Sequence, residues 1–143
     1  VSRSVDIDFV FDRPVRVPVA LEAMLAHGVS FSRNGVVSHL LDEDGMYDWQ
    51  EVPDSRLADV INSMGEARWR DATLGIVAFL DDFPHGGDVI FHPDRLLISF
   101  VVSINKISLP GNSRFCDMGW YLRKLVPIFE PLGLSEIKTA DLV

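Results

Sequence analysis

Cysteine is almost missing from this 143-residue chain: the single Cys116 rules out an intrachain disulfide and a zinc site built from several thiolates. A reducing, cytoplasmic setting is therefore expected. No apolar run approaches the roughly 20 residues that a membrane-spanning helix needs, and no basic-then-apolar leader stands at Val1. Basic residues are scarce as well, 13 against 21 acidic ones, so the net charge is −8. A chain of that sign is repelled by phosphate, which argues against a nucleic-acid binder. It suits a basic protein partner, whose approach the charge would speed. The catalytic signatures are also lacking. There is no glycine-rich phosphate loop, no nucleophile elbow, no paired-histidine zinc helix and no calcium loop. Cys116 lies beside Asp117, whose carboxylate would disfavour a thiolate.

What is present is strand. From Gly75 to Lys106 three apolar runs follow one another, Ile76 to Leu80, Val89 to Phe91 and Leu96 to Ile104. In the last, Leu96, Ile98, Phe100, Val102 and Ile104 alternate with Leu97, Ser99, Val101 and Ser103, which puts one set on a buried face. The short breaks around Asp82 to Gly87 and His92 to Asp94 are rich in turn formers and favour an antiparallel meander. Gly86-Gly87 is read as a turn requirement. Val5, Ile7, Phe9 and Phe11 alternate with Asp6, Asp8, Val10 and Asp12 and predict a strand with an acidic outer face. Asn34-Gly35 predicts a two-residue hairpin turn between Val29–Arg33 and Val36–Asp42, with Phe31 facing Ser38 and Val29 facing Leu40. Asp44-Gly45 predicts a further turn, which would complete a second meander ending near Val52.

Helices are predicted in three places. One starts near Pro18 and stops at Gly28, with Leu21, Met24 and Leu25 as its stripe. A second carries Leu57, Val60, Ile61 and Met64 and weakens at Gly65. A third follows Asp117 with Met118, Leu122, Leu125 and Phe129 on one face, flanked by Tyr121 and Ile128. Glu130 before Pro131 ends it. Ser135 to Leu142 is expected as an edge strand. The order β-α-βββ-α-βββ-α-β describes one α+β domain over residues 1–143, mainly antiparallel sheet from two meanders with about three helices packed on it.

Two polar clusters are candidate sites. The first is Asp42, Glu43, Asp44, Asp48 and Glu51 with Met46, Tyr47 and Trp49 interleaved. Aromatic area beside steering charge suits protein binding, so Asp42, Glu43, Asp44, Tyr47, Asp48, Trp49 and Glu51 are the expected partner contacts. A solvated hairpin tip with Tyr47 or Trp49 tucked into the core is the plainer account. Asp6, Asp8 and Asp12 would extend the patch if the first strand lay nearby. The second cluster is Asp81, Asp82, His85 and Asp88, with His92 and Asp94 at the next turn. These are suitable metal-ligand types without a metal template, so neither a metal nor a cofactor is expected. His27 and His39 stand alone and suit helix-end or strand-surface places.

Asp44-Gly45-Met46-Tyr47-Asp48-Trp49, and Asp117-Met118-Gly119-Trp120-Tyr121-Leu122 followed by Pro127, Ile128 and Phe129, give the chain a resemblance to the immunity proteins of bacterial polymorphic-toxin and contact-dependent inhibition systems. The resemblance implies a cytoplasmic, non-catalytic antidote that binds a basic toxin domain through an acidic surface. It carries over no individual residue. The alternatives are a small enzyme or ligand-binding domain using the Asp81-to-His92 region, and a homo-oligomer assembled through a strand edge or apolar patch.

Overall fold

The period-two segments fold into one seven-stranded sheet in the computed structural model, which describes residues 4–42, 44–81 and 84–142. In chain order the elements are β1 (Ser4–Phe11), α1 (Val17–Ala26), β2 (Val36–Asp42), β3 (Gln50–Pro53), α2 (Leu57–Met64), β4 (Thr73–Phe79), β5 (Gly86–Phe91), β6 (Leu97–Ile104), α3 (Met118–Phe129) and β7 (Leu134–Leu142). The strands lie in the order β3-β2-β4-β5-β6-β1-β7, with every neighbouring pair antiparallel. This is the predicted α+β class, a single domain with its helices gathered on one sheet face.

Alternation decides which face is covered. Ile7, Phe9, Ile76, Ile98 and Phe100 point to the helices and are 0–1% exposed. Leu21 and Met24 of α1, Val60, Ile61 and Met64 of α2, and Tyr121, Leu125, Ile128 and Phe129 of α3 complete the same core. The Phe129 ring lies 4.9 Å from Phe9 and 6.0 Å from Phe11, so α3 is packed onto β1. Full burial of aromatic and branched side chains on this scale is the main force holding helices to sheet. Helix ends follow local chemistry. Pro18 sits in the first turn of α1, the Trp120 backbone N–H donates to the Asp117 carboxylate at 3.3 Å, and Gly28 takes the left-handed φ of +86°.

Several expectations are corrected. The Asn34-Gly35 turn forms, with φ values of 53° and 76°, but Val29–Arg33 is not a strand. Only the bridges Arg33↔Val36 and Ser30↔Phe79 occur there, because Val29 and Phe31 turn into the core. Phe31 therefore does not face Ser38, nor Val29 Leu40. Leu25 is 37% exposed and leaves the α1 stripe to Leu21 and Met24. Met118 and Leu122 are half-buried, and Tyr121 and Ile128 take the buried positions beside Leu125 and Phe129. Gly86 and Gly87 lie inside β5 rather than in a turn. A Cβ on Gly86 would collide with the Ala78 carbonyl and one on Gly87 with the Val101 carbonyl, so close backbone approach at this bulge excludes a side chain. Trp69 is buried beneath the Arg68 guanidinium, in a short 3-10 turn before β4.

Candidate functional site

The face of the sheet away from the helices is left open, and it collects the acidic side chains that alternation turns outward. One cross-strand row reads Val77, Asp88, Val101, Asp6 from β4 to β1. The neighbouring row reads Leu40, Gly75, Ile90, Ser99, Asp8, Lys138 from β2 to β7. Val77, Ile90 and Val101 are half-buried, so apolar surface lies between the carboxylates. Glu51 stands opposite Ser38 at the β3 end of this face.

Trp49 extends the surface at that end. Its ring edge lies over Gly75: a Cβ there would meet Trp49 Cη2 at 2.9 Å and Ile90 Cδ1 at 3.1 Å. Gly75 thus supplies the room in which the indole rests. Leu40, directly beside Gly75 in the register, is 1% exposed although it lies outside the helix-side core. Trp49 itself is 36% exposed, Tyr47 59% and Met46 67%. The connection from β2 to β3 is tied by its own carboxylates. Asp42 Oδ1 accepts from the Tyr47 backbone N–H and Asp44 Oδ1 from that of Met46, both at 3.0 Å. Tyr47 adopts a left-handed φ of 54°, and the Asp42 bond helps hold it there. Asp42, Asp44, Tyr47, Asp48, Trp49 and Glu51 are thus brought to one end of the sheet, while Glu43 lies outside the described residues. Neither Tyr47 nor Trp49 enters the helix-side core. Asp6 and Asp8 share the open face, but four strand spacings, about 19 Å, separate β1 from β2. Asp12 follows β1 at its end and is exposed.

The second cluster is drawn apart. His85 precedes β5 and His92 follows it, so the strand itself, about 20 Å long, separates them. His85 Nδ1–H donates to the Asn105 carbonyl at 2.6 Å, and its ring meets Trp120 edge-on at 5.4 Å. Asp88 points onto the open face, Asp81 has a buried Oδ1 with no hydrogen-bond partner among the described residues, Asp94 accepts from the Leu96 N–H, and Asp82 lies outside the described residues. Among the described residues no group of three or more His, Cys, Asp or Glu side chains is placed to hold a metal ion.

Sequence reasoning did not foresee the hydrogen-bonded string Asp8–Ser99–His92 on the open face. Ser99 Oγ donates to Asp8 Oδ1 at 2.7 Å and lies 2.9 Å from His92 Nε2. A serine hydroxyl has one proton, so with that proton on Asp8 the histidine must donate through Nε2–H. A base that is already donating cannot take the serine proton, and the string is a cross-strand fastening rather than a nucleophile with its base. No spacing rule finds it, because the three residues come from β1, β6 and the β5–β6 turn. Asp88 is similar. Burial raises its pKa, and the Ser103 hydroxyl, donating to it at 3.4 Å, pulls the other way. His27 caps α1, donating through Nδ1–H to the Ala23 carbonyl at 2.9 Å. His39, expected on a strand surface, is 8% exposed on the helix side of β2 opposite Ile76. Among the described residues its Nδ1 has no hydrogen-bond partner, and burial lowers its pKa.

Among the described residues no helix is long and apolar enough to cross a membrane. Compared with known proteins, the chain matches no protein-family model, no curated protein and no solved structure.

Proposed function

We propose that the chain is a non-catalytic protein-binding domain of the immunity type, which neutralises a basic toxin domain by holding it on the open face of the sheet. The observation that carries this reading is the composition of that face. Carboxylates of Glu51, Asp88, Asp6 and Asp8 are spread among half-buried valine and isoleucine, and Met46, Tyr47 and Trp49 stand exposed at one end. Distributed negative charge steers a basic partner, while the aromatic residues provide contact area that is released from water on binding. The resemblance noted for Asp44 to Trp49 and Asp117 to Leu122 supports the same class.

The test is capture of a basic polypeptide from the source cells by the tagged chain, compared with D44K/D48K and with Y47A. Retention by wild type, falling with rising salt and lost in D44K/D48K, is the expected result. Y47A is expected to weaken binding by about tenfold, the loss typical of an aromatic anchor. Equal capture by all three proteins would remove this end of the face from the contact. Failure to retain any basic polypeptide at low salt would count against the immunity reading.

A further inference from the structure

The sheet ends in two unlike edges. β3 offers four residues and includes Pro53, whereas β7 offers nine with no proline. The backbone pattern shows which β7 groups are unused. The Phe11 N–H donates to the Leu96 carbonyl, so odd-numbered β1 residues bond toward β6 and even-numbered ones toward β7. The register Val10↔Glu136 and Asp8↔Lys138 then turns Glu136 and Lys138 toward β1. Ile137 and Thr139 direct their N–H and C=O groups away from β1, toward the edge of the sheet, where no described strand pairs with them, while Ser135 sits at the bulge opposite Val10 and its hydroxyl donates to the Val10 carbonyl at 3.1 Å. The side chains of Glu136 and Lys138 share one sheet face, 3.6 Å apart, and Ile137 is 38% exposed on the other.

We propose that β7 joins two copies of this chain through an antiparallel β7–β7 pairing centred on Ile137, independently of the partner surface on the open face. In a two-fold antiparallel pairing, opposed residues must both bond outward or both inward, so the allowed registers differ in which residue lies on the axis. With Ile137 on the axis, Glu136 of each copy stands opposite Lys138 of the other. Moving the centre by one residue puts Glu136 against Glu136 or Lys138 against Lys138. One neighbouring register is therefore attractive and the two beside it repulsive, which is how charged edges reject wrong pairings while permitting one. Ile137 and Thr139 would form about two to four backbone hydrogen bonds between the copies, since the bulge at Ser135 interrupts the ladder. The axis is perpendicular to the sheet, so both open faces end on the same side of the dimer. A strand pair this short buries less than the roughly 1,200–2,000 Å² of a stable interface, so the association is weak.

Sedimentation velocity at low salt, from micromolar to millimolar protein, reads it directly. Wild type should move toward twice the 16.0 kDa of one chain as concentration rises. E136K brings like charges together twice and should weaken the dimer about tenfold. The swap E136K/K138E should restore it. T139P removes an outward donor and no bond to β1, and should leave a monomer with an unchanged circular-dichroism spectrum. In wild type, exchange of the Ile137 and Thr139 amide protons should slow as concentration rises, which needs no variant. A wild type that stays monomeric without that slowing overturns the proposal. So does a dimer indifferent to E136K and T139P, or a swap as weak as E136K alone.

Discussion

The two faces of the same strands carry opposite chemistry, residue by residue. Along β1, Ile7 and Phe9 are 0% exposed beneath α3 while Asp6 and Asp8 point the other way. Along β5, Val89 and Phe91 are 1% exposed and Asp88 and Ile90 face outward. One backbone thus serves two ends at a spacing of a single residue. The helix side provides stability through packing, and the open side presents charge interspersed with half-buried apolar surface. Even the two polar exceptions are opposite in sign. Burial lowers the His39 pKa on the packed side and raises the Asp88 pKa on the open side.

The comparison breaks most readily at Phe9. Phe9→Ala removes a fully buried ring that packs at a tilt against Phe129 and should cost about 3–5 kcal/mol in urea unfolding. A loss below about 1 kcal/mol would mean that the helix side is not where stability resides. On the open side, Gly75→Val should cost about 1–3 kcal/mol, because the new side chain meets both Trp49 and Ile90. It should also expose Leu40, read as faster proteolysis between β2 and β3.

Acidity sharpens the contrast at lower amplitude. Burial lowers the His39 pKa, so the unfolded chain binds the proton more readily than the folded one. Its contribution to stability is complete above the ordinary imidazole pKa of about 6.5 and is lost as pH falls below it. Thermal melts from pH 7.5 to about pH 5 should therefore fall less steeply in His39→Leu than in wild type. Asp88 runs the other way. Its raised pKa means that the folded chain holds the proton more readily, so ionisation at neutral pH works against the fold. Asp88→Asn should give a small rise in Tm at pH 7 that disappears in acid. A fall at pH 7 would show that the ionised Asp88–Ser103 bond outweighs the desolvation.

Much of this architecture is legible in the chain because alternation is local. The meander from Thr73 to Ile104, the Asn34-Gly35 turn, the stripes of Val60, Ile61 and Met64 and the cap at Asp117 follow from neighbours within a few positions. Val29–Arg33 misled because its composition suits a strand, while Phe31 gains more by entering the core. The strand order is invisible for a different reason. Placing β2 beside β4 and β1 between β6 and β7 depends on contacts distant in sequence, with no local mark. For the candidate site, Asp44, Tyr47 and Trp49 could be grouped from their proximity. That Asp6, Asp8 and Asp88 share the open face over which Trp49 lies, and that Ser99 ties Asp8 to His92, could not.

The position of β1 in the sheet has a consequence for the order in which the chain can fold. Phe9 pairs with Ile98 on one side and with Ile137 on the other, so β1 is made well before either of its two neighbours. Until β6 has left the ribosome, the apolar face of β1 has no sheet partner, and until β7 follows it remains an edge. Contacts this distant slow folding and lengthen the exposure of greasy strands to aggregation. The aspartates at positions 6, 8 and 12 charge the waiting strand, and like-charged strands from neighbouring nascent chains repel one another. Asp6 and Asp8, which line the open face of the finished sheet, thus also oppose association of the strand while it waits for its neighbours.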